Sequence, residues 1–438
     1  MEKYVPNIFF AFILIAGIGY FVMNVRKLIR NIKLGKDIDR TDRKPERWKN
    51  MAKIALGQYK MVRRPLSGIL HIVVYLGFIL INIEVLEIVI DGLFGTHRVF
   101  QPVLGNGIYG FLIGTFEILA VLVLVAVITF WFRRNIERIK RFWSAEMEGW
   151  PKNDGNIILY FEIVLMTLFL VMNATDTPFQ EAGAGNVISQ FIAPLFHDYS
   201  HEALHTIEKT AWWLHIVGIL IFLNYLYYSK HLHILLAFPN TFFANLKPKG
   251  EFTNLESVTN EVKMMMDPSA DPYAMPEDGS EEEVPEKFGA SDVADLNWVQ
   301  LMNAYTCTEC GRCTSSCPAN LTGKKLSPRK IMMDTRDRLE EVGKNIDANN
   351  GEFKPDGKQL LDDYITREEL WACTSCNACV QECPVNIDPL SIIMDMRRYL
   401  VMEESAAPQE LNMMMTNIEN NGAPWQYSQM DRLNWKDE

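Results

Sequence analysis

Long apolar runs alternate with short polar ones through the first 245 residues, and beyond them the chain turns polar and acidic. Five runs are long enough to cross a bilayer, which takes about 20 residues of helix. They cover roughly residues 6–29, 65–90, 107–132, 156–174 and 210–238. The first lacks a basic start and a small-residue cleavage pattern, and a strongly basic stretch follows it, so it is expected to be an anchor and not a cleaved leader. Residues 246–295 are expected to be an acidic flexible linker, because the stretch 264–285 gathers Asp267, Asp271, Glu277, Asp278, Glu281, Glu282 and Glu283 with several prolines and little apolar surface. Further on, Ser327 and Pro328 suit a helix cap and first turn, and spaced apolar residues from Ile331 to Val342 continue that helix. The pattern predicts an all-α chain: a membrane bundle (1–245), a linker (246–295), a soluble helical domain (296–402) and a tail (403–438).

Charge gives the bundle a direction. The segment from Arg26 to Arg64 holds fourteen Lys and Arg and that from Arg133 to Lys152 holds six, whereas the opposite side has Lys3 and Arg98, with Lys209 at a boundary. By the positive-inside rule both basic loops are cytoplasmic, the N-terminus is outside, and the fifth span delivers the C-terminal half to the cytoplasm. The expected location is therefore the inner membrane, crossed several times. Trp131, Trp212, Trp213, Tyr227 and Tyr228 fall near span ends, where amphipathic rings favour the interface. The net charge of -11 describes no single surface and argues against a nucleic-acid partner.

All eight cysteines lie in two runs, Cys307, Cys310, Cys313, Cys317-Pro318 and Cys373, Cys376, Cys379, Cys383-Pro384. Each reads C-x2-C-x2-C-x3-C-P, in which three thiolates hold one [4Fe-4S] cube and the fourth ligates the other. The first cluster is thus assigned Cys307, Cys310, Cys313 and Cys383, and the second Cys373, Cys376, Cys379 and Cys317. Zinc sites normally pair short two-cysteine hooks, and disulfides need an oxidising compartment. Between Pro318 and Cys373 lie 54 residues, much of them helical in pattern. Two such runs around a helical insert resemble the α-helical ferredoxin domain of succinate dehydrogenase iron-sulfur subunits and of the C-type iron-sulfur subunit in heterodisulfide reductase. That resemblance, over about residues 295–400, implies a one-electron wire. The segment with Glu410, Leu411, Asn417, Glu419 to Gly422, Pro424 and Trp425 resembles the tail of other quinone-linked cluster proteins and is expected to wrap the cluster domain or meet a partner.

Histidines add a second redox group. Imidazoles at membrane depth usually face the bundle and serve a ligand or relay, and paired imidazoles hold b-type haem. His71 falls near the cytoplasmic end of the second span, His215 near the outer end of the fifth, and His231 and His233 at its inner end. If one helix ran through the fifth span, His215 and His233, 18 residues apart, would point the same way about 27 Å apart, with His231 nearly opposite. The layout resembles the gamma subunit of respiratory nitrate reductase and the cytochrome b subunit of heterodisulfide reductase. That resemblance implies haem histidines on the second and fifth spans; by depth His71 and either His233, favoured by phase, or His231 would hold an inner haem, and His215 an outer one. The outer haem's second histidine is replaced by Ile81, beside Asn82, and His197, His201 or His205, on one helical face, are offered as substitutes. Acids inside spans are candidates for quinone-linked proton transfer: Glu84, Glu87 and Asp91 on one face, with Glu117 and Glu162 elsewhere. Such acids also serve helix packing.

Together these features predict a five-helix transmembrane haem-binding bundle followed by a cytoplasmic α-helical ferredoxin domain. Electrons would pass between the quinone pool, haem b, the two clusters and a soluble partner. A protein with cysteine-rich CCG domains or an electron-transfer flavoprotein fits that partner, within a heterodisulfide-reductase-like oxidoreductase complex. The chain has no G-x-G-x-x-G fingerprint after a strand and no P-loop. The alternative is a redox-sensing membrane scaffold that uses cluster state to recruit a partner and has no quinone activity.

Overall fold

The computed structural model describes residues 4–267 and 287–437. Most of the acids expected in the linker, Asp271, Glu277, Asp278 and Glu281 to Glu283, lie outside the described residues. The secondary structure is helical, with no strands among the described residues. Five helices are long and apolar enough to cross a membrane: α1 (Val5–Ile32), α2 (Pro65–Phe94), α3 (Phe100–Asn135), α4 (Trp150–Thr175) and α5 (His201–Tyr225). Proline stands in the first turn of α1, α2 and α4, where its missing N–H costs nothing. Left-handed Gly95 ends α2, and the helical path of α3 is interrupted at Gly105.

The helices form a ring. Each packs on its chain neighbours and α1 closes it by touching both α2 and α5, while α2 and α5 have little direct contact across the middle. A slot therefore runs between α2 and α5. Its walls carry Ile81 and Glu84 on one side and Trp212 and His215 on the other, with His71 in the second turn of α2 and His231 and His233 just past the end of α5.

The fifth span is not the continuous helix from 210 to 238 that apolarity suggested. Regular α-helix ends at Tyr225, and a single 3-10 turn follows before Ser229 becomes extended. Buried Asp154 supplies the reason: it accepts from Tyr225 Oη at 2.6 Å and from the backbone N–H of Lys230 at 3.1 Å. The Ser229 hydroxyl accepts from His231 N, and a new helix, α6 (His233–Phe242), starts there and packs against the C-terminal domain. His215 and His233 thus share no helix, and the five-turn phasing between them is lost.

The C-terminal domain is built on α7 (Trp298–Thr306), α8 (Pro328–Ala348) and α9 (Pro389–Met402). Ser327 caps α8 by accepting from Lys330 N, with Pro328 in the first turn as expected. Apolar residues of these helices form one core with Leu28 of α1 and Leu232 and Ala237 of the junction, so the two halves share a hydrophobic interior. Gly343 lets α1 approach α8: a Cβ there would stand 2.5 Å from Asn31 Nδ2, which itself donates to Tyr305 Oη at 2.9 Å. The linker ends earlier than residue 295, since Ala290, Ser291 and Val293 are buried and the Asp292 carboxylate pairs with fully buried Arg338 at 2.8 Å. In the tail, helix α10 (Gln409–Asn421) buries none of its residues, so it does not wrap the domain.

Candidate functional site

The two cysteine loops repeat one backbone form. Left-handed residues stand two and four places after the first cysteine of each, Glu309 and Gly311 in one loop and Ser375 and Asn377 in the other. This curls the chain so that successive thiols turn toward a common centre. Cys383 lies among Cys307, Cys310 and Cys313, and Cys317 lies beside Cys373 and Cys379. Each run thus lends its last cysteine to the other. Backbone N–H groups of Ser375 and Ile387 point at Cys373 Sγ (3.4 Å) and Cys383 Sγ (3.2 Å), contacts that stabilise charge on a cluster sulfur. Burial pushes the Cys307 thiol up to about 12 and Cys383 up to about 11, so a bound metal is needed to ionise them. Tetrahedral zinc at about 2.3 Å from each sulfur would draw the thiols to within about 3.8 Å of one another. Among the described residues no such single-ion grouping occurs.

The first loop is locked to the membrane half. Glu309, buried between Cys307 and Cys310, accepts from Arg336 Nη1 of α8 at 2.7 Å and from the Lys230 ammonium. Burial works to raise its pKa, but Lys230 and Arg336 outweigh it and hold the carboxyl below its ordinary value. Fully buried Arg329 donates to Arg141 O at 2.6 Å and pairs with Glu146 at 2.6 Å. Arg312 Nη1 donates to Lys60 O at 2.9 Å, and Lys60 Nζ to Cys383 O at 3.0 Å. Both basic loops therefore hold the cluster domain.

At the same end, His71, His231 and His233 lie within electrostatic reach of one another, and the rings of His231 and His233 are 5.3 Å apart. Nδ1 of His233 donates to Lys230 O at 2.9 Å, the arrangement that leaves Nε2 free as a ligand. His71 and His231 each have a buried Nδ1 with no partner. Three converging imidazoles with unused nitrogens at the foot of the slot fit the axial ligands of a b-type haem.

The cavity at His215 has no second histidine in its lining. His215 has the ligand-like form, Nδ1 bonded to Leu165 O at 3.0 Å, but it faces a cavity of only 70 Å³ whose other wall includes Gly77 and buried Ile81. His205, offered as its partner, is exposed on the same helix, roughly 15 Å along the axis, and cannot reach the opposite face of a ring bound to His215. His201 is exposed a turn further out and His197 lies beyond the helix.

A cavity of about 250 Å³ opens at the end of the bundle away from the cysteine loops, lined by Glu84, Glu87, Asp91, Arg98, Trp212 and Trp213 among others. The three acids have different duties. Asp91 accepts from the backbone N–H of Arg98 and Val99, and Glu87 from Phe100 N (2.8 Å) and Tyr109 Oη (2.9 Å), so both hold the α2–α3 turn. Glu84 is buried with Oε2 unpartnered. Arg98 is spent on Asp176 (2.7 Å), Asn173 and Tyr109. Glu117 is structural, accepting from Asn173, Ile188 N and Ser189 N, whereas Glu162 lines the smaller cavity. Sequence reading missed Glu309 and Lys230. The only signals were a carboxylate inside a cysteine loop and a lysine beside His231.

Residues 306–387 match the family described as 4Fe-4S dicluster domain. Over 95% of its length the chain is 30% identical to the probable iron-sulfur-binding oxidoreductase FadF of Bacillus subtilis, and over 97% it is 25% identical to the EtfAB:quinone oxidoreductase of Syntrophomonas wolfei. It spans 59% of each of these relatives. Over 34% of its length it is 34% identical to a probable membrane-anchored ferredoxin of Chromohalobacter salexigens, covering 24% of that protein. No solved structure matches. The relatives include iron-sulfur oxidoreductases, and this chain combines a 4Fe-4S dicluster domain with five membrane-capable helices.

Proposed function

We propose that the chain is the membrane electron-transfer subunit of a quinone-linked oxidoreductase, passing electrons between a quinone, one inner haem b, two [4Fe-4S] clusters and a soluble partner. The observation that carries this reading is the sparse contact between α2 and α5, with the acid-lined cavity at one end and, at the other, His71, His231 and His233 beside Lys230, which pairs with Glu309 of the first cluster loop. Haem, when bound, supplies a one-electron station between a two-electron quinol and one-electron clusters. The chain's own residues supply the rest. His71 and His233 orient the ring, the slot excludes water, and Glu84 is the proton acceptor at the outer cavity. The likeness to a relative named for electron-transfer flavoprotein and quinone supports an electron-transfer flavoprotein, or a CCG-domain protein, as the soluble side. Orientation with the clusters in the cytoplasm follows from the basic loops.

The test is reduction of the purified full chain in nanodiscs by a menaquinol analogue, followed in the b-haem bands and by cluster EPR. Glu84→Gln is expected to slow haem reduction about 10²-fold or more with haem content intact, the usual scale for a lost general base. Unchanged rates would move the quinone away from this cavity. A preparation with no b-haem band at all would reject the haem station and favour the sensing scaffold.

A further inference from the structure

Lys230 belongs to two structures at once. Its ammonium, nearly buried, meets the Glu309 carboxylate, donates to Pro151 O at 2.6 Å and stands 3.8 Å from Asp154. Its carbonyl accepts from His233 Nδ1 at 2.9 Å. One residue therefore connects the histidine turn to the loop of Cys307 and Cys310. Turn geometry does not explain Glu309: it holds a left-handed backbone at φ 50°, where Asn or Gly would sit more easily. The equivalent position of the second loop, at φ 55°, is Ser375, which carries no charge.

We propose that Lys230 and Glu309 are opposed, buried charges that set the potential of the first cluster and make it, rather than the second, the one coupled to the histidine turn. An arriving electron adds one unit of negative charge to the cluster; no bond forms and no proton moves. A fixed ammonium at the loop favours that charge and a fixed carboxylate disfavours it, strongly so where water is excluded. Arg336, bonded to the other oxygen of Glu309 at 2.7 Å, and Asp154, 3.8 Å from the Lys230 ammonium, add one charge of each sign, so these four charges sum to zero and each acts through its place beside the loop. The inference rests on the proposed function only in taking the histidine turn as the neighbouring redox station.

The test is an EPR-monitored redox titration of the full chain and of its Lys230→Met, Lys230→Arg and Glu309→Gln variants, with iron content and haem bands read on the same samples. Lys230→Met is expected to lower the first cluster's potential and Glu309→Gln to raise it. Each change should alter the reduced-to-oxidised ratio at fixed potential about tenfold, which is about 59 mV for one electron. The second cluster should not move, and Lys230→Arg should stay near the parent. A purely structural contact would shift neither potential, or both in one direction. If Lys230→Met loses iron, the near-isosteric Glu309→Gln decides alone: a first-cluster potential that fails to rise overturns the proposal. Missing haem bands with the opposed shifts intact would reject the haem station and leave the potential-setting pair standing.

Discussion

Cys317→Ser is expected to cost the chain the second cluster while sparing the first, although Cys317 belongs to the first cysteine run. Iron and acid-labile sulfide should fall from about eight of each per chain to about four. The prediction follows from the crossed geometry. Cys317 is the near neighbour of Cys373 and Cys379, and Cys383, from the second run, sits with Cys307, Cys310 and Cys313. Cys383→Ser should give the mirror result, removing the first cluster's EPR signal. A pattern that follows sequence order, with Cys317→Ser destroying the cluster of Cys307, would reject the crossing. Zinc without labile sulfide would reject the clusters altogether. Because Cys307, Cys317 and Cys383 are buried in the core that joins both halves, losing a cube should also loosen the domain. The two cubes thus act as staples across the loops.

What could be read from residues alone was what local chemistry dictates. Cysteine spacing, the cap at Ser327-Pro328 and apolar runs of span length each depend on neighbours a few places away; the cap and the first four spans stand where expected, and the fifth is shifted toward the N-terminus. The failures were all long-range. Nothing in the run Leu223 to Tyr228 announces a break, because the cause is Asp154 on another helix. Glu84, Glu87 and Asp91 share a face and look equivalent. Only the turn at 95–100, folding back to bond two of them, separates the free acid from the structural ones. The basic loops count fully toward orientation in the sequence, yet Arg30 and Lys27 pair with Asp347 of α8, and the Lys60 ammonium meets the second cluster loop at Cys383 O. Part of that charge serves docking. The ring of helices with its slot is also invisible to periodicity, since it depends on which helices fail to touch.

His71→Ala is expected to abolish the low-spin b-haem bands of the purified chain, with membrane insertion and both clusters retained. His71 is the sole histidine of α2, and it lies within electrostatic reach of His231 and His233. A haem iron held through two protein nitrogens needs donors on opposite faces of the ring. The junction supplies two candidates for one face, and α2 supplies His71 alone for the other. Between the candidates the hydrogen bonding decides: His233 has Nδ1 bonded to Lys230 O and presents Nε2, whereas Nδ1 of His231 is buried without a partner. His233→Ala should therefore match His71→Ala, and His231→Ala should leave the haem in place with altered bands. The break after Tyr225 removes the phasing that first favoured His233, and this hydrogen bond replaces it. Because the outer level offers His215 against Ile81, His215→Ala should leave the haem-to-protein ratio unchanged at about one. Two haems per chain, or loss of a b-haem signal in His215→Ala, would overturn the single-haem reading. Full spectra in His71→Ala would remove the haem from the foot of the slot.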